Sequence, residues 1–249
     1  MDKSITYRST RGSDHSIDFY DLLTEGHNMD THIINGTLFR RPDHQFKMLV
    51  DLLKPSSIVY DVGAYIGTFS IPMAIENMKL YAFEGFPDNH IRCKKNTAPY
   101  NVINHSCAVS NKQQIVESKF NNCMAKGNDE VATINYVVFD DYITENSLPE
   151  PDLVKVDIEG METLALHGMT NLIENVRPIW QMGYHFKFYS TVEGYPGWVD
   201  VEDGGYDFQN FDRLGYLIFD ESGRRCDPTI LDHRGGEFVF IPKEKIKRK

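Results

Sequence analysis

The 249-residue chain is short of cysteine, of positive charge and of long apolar runs. Its four cysteines, Cys93, Cys107, Cys123 and Cys226, share no CxxC spacing and are too few to staple a chain of this size. They are expected as reduced thiols in a cytoplasmic compartment. No apolar stretch reaches the roughly 18 residues that a membrane-spanning helix needs, so no membrane partner is expected. The opening MDKSITYRSTRGSDHS lacks the apolar core of a signal peptide. Lys and Arg number 26 against 36 Asp and Glu, a formal net charge of −10. Such a chain repels phosphate backbones, and a nucleic-acid partner is not expected. The one basic run, residues 243–249, reads as a solvated end. Internal repeats are absent. So are GxSxG, GxxxxGK and HExxH, which leaves serine-hydrolase, P-loop and zinc-protease chemistry without footing. No coiled-coil or edge signature decides an oligomeric state.

What is present is ordinary globular composition, 41% hydrophobic and 25% charged. Residues 1–42 are an arm and lead-in, of which 1–30 are polar, turn-rich and expected to be irregular or partly helical. Phe46, Leu49, Val50 and Leu53 then recur at helical spacing before Pro55. From residue 58, strands at 58–61, 79–84, 102–109, 131–138, 152–158 and 178–184 alternate with helices at 68–77, 87–98, 140–146 and 160–175. Residues 111–130 read as polar and irregular. Alternation of this kind predicts a parallel sheet covered on both faces. The end differs: strands at 216–220 and 237–241, joined through a turn, predict an antiparallel hairpin at one sheet edge. The expected fold is α/β, a mostly parallel, doubly wound, Rossmann-like sheet with an antiparallel edge hairpin. It covers residues 43–242, with insertions at 111–130 and 186–205, and the basic tail 243–249 follows.

Residues 58–70, IVYDVGAYIGTFS, put Asp-x-Gly-x-x-x-Gly between a strand and a helix. Gly63 and Gly67 let a ligand approach the backbone closely, at the carboxyl ends of the strands where open α/β sheets bind ligands. Glu84 ends the second strand about 20 residues on, where an acid accepts hydrogen bonds from both ribose hydroxyls. A dinucleotide site requires Gly-x-Gly-x-x-Gly and an uncharged approach for its pyrophosphate. Asp61 stands where that anion would come, which counts against a nicotinamide-dependent oxidoreductase. A carboxylate there suits a ligand carrying an ammonium and a sulfonium, and S-adenosylmethionine is that ligand. The alternative for Asp61 is that it only caps the turn.

A second constellation lies at residues 152–168, DLVKVDIEGMETLALHG. Lys155 and Asp157 share one face of a strand that would otherwise be apolar on both, and such charges are costly unless paired or placed at its open end. Asp157 is near that end. Glu159 and Glu162 fall in the first turn of the next helix, where the macrodipole favours carboxylates. A capped helix start accounts for Glu162 but not for Asp157.

The segments DVGAYIGTFSI, YAFEGFPDN with the later Asn96, CAVS, VFDDYI and LVKVDIEGMETLALHG occur in the order and spacing of the FkbM-type methyltransferases. The chain resembles that family of S-adenosylmethionine-dependent enzymes, largely O-methyltransferases, over residues 45–185. The resemblance implies that Asp61, Gly63 and Gly67 hold the methionine moiety, with Ala64, Tyr65 and Gly85 beside the cofactor. Glu84 would take the ribose. Ala108 and Ser110 would lie near the adenine and Asp157 near the methyl group. Tyr65 stands where the family usually has Asn, and Gly85 where it usually has Pro. IWQMGYH lacks the acid that many relatives carry before the His.

A sulfonium is already an activated donor, so positioning and exclusion of water supply most of the acceleration. A hydroxyl acceptor also needs a base within about 3 Å, and His185 or Asp157 is the candidate, the alternative for His185 being a packed or hydrogen-bonded structural histidine. One acid and one His make a poor magnesium set, so no metal is expected. Phe186, Phe188, Tyr189, Tyr195 and Trp198, among the glycines and acids of 186–205, fit either a sugar-binding lid or a loop that buries its own aromatics. The expected function is methylation of a hydroxyl on a sugar, glycoconjugate or secondary metabolite. A non-catalytic nucleoside-binding module on the same fold is the further alternative, kept open by Tyr65 and Gly85.

Overall fold

Apolar residues alternate at the start of the chain, Ile5 and Tyr7 in β1 (Lys3–Arg8), Ile17 and Phe19 in β2 (Asp14–Phe19). A period of two places all four on one face, and all four are buried. The expected irregular arm is therefore an antiparallel hairpin, with Ile5 opposite Ile17, followed by α1 (Asn28–Ile34). The computed structural model describes residues 1–23, 28–38, 44–118, 131–185, 208–227 and 236–246. The aromatic insertion at 186–205 lies outside the described residues, as do 119–130.

The chain divides into two compact units, Met1–Ala108 with Ile115–Asn135, and Val109–Gln114 with Tyr136–Lys249. In the first, α2 (His44–Leu52) buries Phe46, Leu49 and Val50, as their spacing predicts. Then come β3 (Ile58–Val62), α3 (Ser70–Ile75), β4 (Lys79–Phe83), α4 (Pro87–Thr97) and β5 (Ile103–His105). The three strands are parallel in the order β3–β4–β5, with Tyr60 opposite Tyr81 and Tyr81 opposite Ile103. Val59, Tyr60, Val62, Leu80, Ala82 and Phe83 are buried, and the Tyr60 ring meets those of Tyr81 and Phe83 edge-on. The hairpin is anchored by the buried Glu76, whose carboxylate accepts Tyr7 Oη at 2.8 Å, Thr10 N at 2.6 Å and Thr10 Oγ1 at 2.7 Å.

The single strand expected over 102–109 is two, β5 and β6 (Ala108–Ser110). Part of the stretch expected to be irregular is a strand: β7 (Gln114–Ser118) pairs with β8 (Ala132–Val138) in a separate sheet of order β6–β8–β7.

The second unit contains α5 (Phe139–Glu145), β9 (Leu153–Val156), α6 (Glu162–His167), β10 (Ile179–Tyr184), α7 (Phe208–Arg213), β11 (Tyr216–Asp220) and β12 (Gly236–Pro242). Its strands run in the order β11–β12–β10–β9. β9 and β10 are parallel, and β12 is antiparallel to both β10 and β11, which is the edge hairpin the sequence predicts. Every residue of β9 and β10 is buried, Lys155 and its cross-strand partner Gln181 included. Trp180, Phe211, Tyr216 and Phe240 pack the core of this unit. The helix expected over 160–175 stops at Gly168. A β-carbon there would lie 2.2 Å from the Ser110 carbonyl oxygen, so only glycine fits. A separate wide turn follows at Leu172–Val176, and Asp140 accepts the N–H groups of Asn171 and Leu172 ahead of it.

Cys93 and Cys107 are buried, and Cys226 is partly buried. Among the described residues, no helix is long and apolar enough to cross a membrane.

Candidate functional site

In the first unit the turn after β3 contains three residues with left-handed backbones, Gly63 (φ 79°), Tyr65 (φ 53°) and Gly67 (φ 90°). Gly63 and Ala64 both donate their N–H groups to the Phe83 carbonyl, at 2.9 and 3.1 Å, which draws the turn against the end of β4. A β-carbon on Gly67 would meet Thr97 Cγ2 at 2.7 Å, so this glycine also serves the packing of α4. Asn96 holds the turn from that helix: its Nδ2 donates to the Ile66 carbonyl at 3.0 Å, and its Oδ1 accepts Tyr20 N.

Asp61 lies in β3 opposite Ala82, is fully buried, and accepts Ser70 Oγ at 2.6 Å from the first turn of α3. That bond ties β3 to the first turn of α3. Glu84 follows β4 and is 4% exposed. Its Oε2 accepts Tyr65 N at 2.8 Å and its Oε1 accepts Phe86 N at 2.9 Å, so two loops fix the carboxylate's orientation. A β-carbon on Gly85 would fall 2.6 Å from Ala108 Cβ and 3.0 Å from Ala108 Cα. That approach leaves room only for a glycine at this position. The structure thus brings Asp61, Gly63, Ala64, Tyr65, Gly67, Glu84, Gly85 and Ala108 into one region of the first unit. Ser110, in the second unit, is buried beside Gly168.

In the second unit Asp157 follows β9 and His185 follows β10, and the structure brings them together. The Asp157 carboxylate lies over Gly183 of β10, where a β-carbon would stand 2.9 Å from its Oδ1. His185 Nδ1 is 3.8 Å from Asp157 Oδ1 and 3.1 Å from Glu162 Oε1, and Nε2 is 3.8 Å from Glu159 Oε2. Glu162, fully buried, also accepts the N–H groups of Ile158 and Gly160, as a helix-start carboxylate does. Glu159 (φ 57°) and Gly160 (φ 99°) turn the chain left-handed.

Sequence reasoning gave His185 one acidic neighbour and missed Glu159 and Glu162 as partners. Both stand in DIEGMET, but the reversal at residues 159–160 that turns Glu159 back towards β10 has no periodic signal. Donor atoms of Asp157, Glu159 and His185 all lie within 4.8 Å of one another. The missing second acid, the ground on which magnesium was discounted, is therefore supplied by Glu159. What opposes a cation here is a proton. Burial draws the His185 pKa down, but the Glu162 hydrogen bond and the charges of Asp157, Glu162 and Glu159 outweigh it and push the value up to about 9. A metal would have to displace that proton at neutral pH.

A curated relative, the hexuronic acid methyltransferase AglP of Haloferax volcanii, is 29% identical over 137 residues, 52% of this chain and 57% of its own length. The crystal structure of methyltransferase FkbM from Methylobacillus flagellatus superposes with a TM-score of 0.51 at 20% identity, over 80% of this chain and 48% of that one. The fold is accordingly the Rossmann-like class I methyltransferase fold, although the chain spans only about half the length of these relatives. The family model for the methyltransferase FkbM domain matches residues 61–208. That segment takes in every residue from Asp61 to His185 singled out above, and the chain belongs to the FkbM methyltransferase family, whose methyl donor, S-adenosylmethionine, is its cofactor.

Proposed function

We propose that the protein is an S-adenosylmethionine-dependent O-methyltransferase acting on a sugar or glycoconjugate. Glu84 carries the reading: a carboxylate at the end of the second parallel strand, oriented by the backbone N–H groups of Tyr65 and Phe86. The residues fit the donor. Two glycines and Tyr65 adopt left-handed backbones in the turn after β3, and Gly85 packs directly against Ala108, where a β-carbon would not fit. Asp61, Gly63 and Gly67 would hold the methionine moiety, with Ala64 beside it, Glu84 the ribose, and Ala108 the adenine. When bound, the cofactor supplies an electrophilic methyl group on a sulfonium. The chain's own residues bind and orient the two substrates and remove the acceptor's proton.

Asp157 and His185 are the groups for that proton. With a pKa of about 9, His185 is a cation at neutral pH and becomes a base only as pH rises, whereas a carboxylate is a base at any physiological pH. The acceptor class rests on the relative that methylates a hexuronic acid. A hexuronic acid offers two kinds of oxygen, hydroxyls that need a base and a carboxylate that does not.

Calorimetry with S-adenosylmethionine, S-adenosylhomocysteine and NAD, followed by a screen of neutral sugars and hexuronic acids with isotope-labelled donor, tests the reading. Binding of both sulfur nucleosides but not NAD, with label recovered on a sugar oxygen, is the expected result. Binding of NAD alone, or of none of the three, would overturn it.

A further inference from the structure

A residue outside the matched segment reaches the donor region of the first unit. Asp30, fully buried on α1, accepts the Tyr65 hydroxyl at 2.7 Å, an Arg92 guanidinium N–H at 2.6 Å and Leu23 N at 2.6 Å. The Arg92 guanidinium also lies 5.4 Å from the centroid of the Tyr65 ring. Burial, together with the adjoining Asp30 charge, holds the Tyr65 phenol above its usual range, so it remains a donor. The backbone of Tyr65 is left-handed, which a bulky side chain adopts at a cost unless its surroundings impose it. From that conformation its N–H reaches Glu84 Oε2. A continuous chain of contacts thus runs Arg92–Asp30–Tyr65–Glu84.

We propose that Asp30, Arg92 and Tyr65 are positioning residues for the donor's ribose: the Tyr65 hydroxyl, tied to the buried Asp30–Arg92 pair, holds the backbone whose N–H orients Glu84. The inference rests on Glu84 as the ribose acceptor. The Tyr65 side chain is long enough to reach α1, so a residue outside the matched segment, Asp30, takes part in orienting the donor site.

The test is calorimetry on the full chain with S-adenosylhomocysteine and with its 2′,3′-dideoxyribose analogue, for wild type, Tyr65→Phe and Asp30→Asn. Removing the Asp30 charge leaves Arg92 buried without its partner, so Asp30→Asn can fail to fold; Tyr65→Phe keeps the ion pair. Wild type is expected to prefer the ribose-bearing ligand. Tyr65→Phe should weaken that ligand about tenfold, the order of a lost hydrogen bond to a charged group, and leave the Kd of the analogue unchanged. The Tyr65→Phe/Glu84→Gln double variant should bind no more weakly than Glu84→Gln alone. Equal weakening of both ligands, or no weakening, overturns the positioning role while the donor site stands. A wild type that binds neither ligand, or both equally, removes Glu84's ribose role and this inference with it.

Discussion

At His185 three carboxylates share one imidazole, and the proton they hold has two consequences. The folded state keeps it to about pH 9 against the usual 6.5, so its contribution to stability is complete below about pH 6.5 and is lost as pH rises through about 9. Urea unfolding between pH 6 and pH 9.5 should show a falling midpoint in wild type and a flatter one in His185→Gln. If His185 is the base, turnover should climb toward pH 9, and His185→Ala should abolish that limb. A pH-independent rate would assign the proton to Asp157, or the methyl group to an acceptor carboxylate. Gly183→Ala places a β-carbon 2.9 Å from Asp157 Oδ1. Its kcat should fall by as much as about 10²-fold, the order that small misplacements cost, with donor Kd unchanged. Asp157 and His185 were legible because a charge at the end of an apolar strand, and a His after the next, are anomalies against a simple pattern. Glu159's inward turn was not, because it depends on two successive left-handed residues, Glu159 and Gly160, that spacing does not encode.

Among the elements, the parallel strands were the most legible, since β9 and β10 are apolar on both faces apart from Lys155 and Gln181. The β1–β2 hairpin was written in its two-residue period but hidden by its polar, exposed faces, which outweigh four buried residues in composition. The split of 102–109 into two strands and the stop of α6 at Gly168 depend on partners distant in sequence. The anchoring of the hairpin was equally unreadable, because Glu76 lies 66 residues from Thr10. Glu76→Gln weakens three hydrogen bonds to a charged group and should cost about 1–3 kcal/mol, read as a lowered thermal midpoint. A midpoint unchanged from wild type would mean that the hairpin is held by its apolar face alone.

Over the whole molecule the formal charge of −10 bears on the proposed acceptor. A hexuronic acid arrives as an anion and is repelled, more so at low salt, where the screening length is about 30 Å at 0.01 M against about 8 Å at 0.15 M. Steady-state kinetics should therefore show kcat/KM for a hexuronate rising several-fold over that range of salt, and that for a neutral sugar holding level. A hexuronate indifferent to salt would place a local positive field at its entry. Charge sign and fold class were readable from composition and alternation alone. The acceptor was not, because the aromatic stretch at 186–205 carries no spacing that tells a sugar-binding lid from a loop that buries its own aromatics.

The Asp30 carboxylate has one further bearing, on inheritance. A chimaera that joins a relative's leading residues to this chain's remaining sequence would strand a guanidinium in the interior with nothing to balance it. Head and body must then be exchanged as a matched set, and a compensating change at residue 92 or 65 should accompany any natural loss of the aspartate.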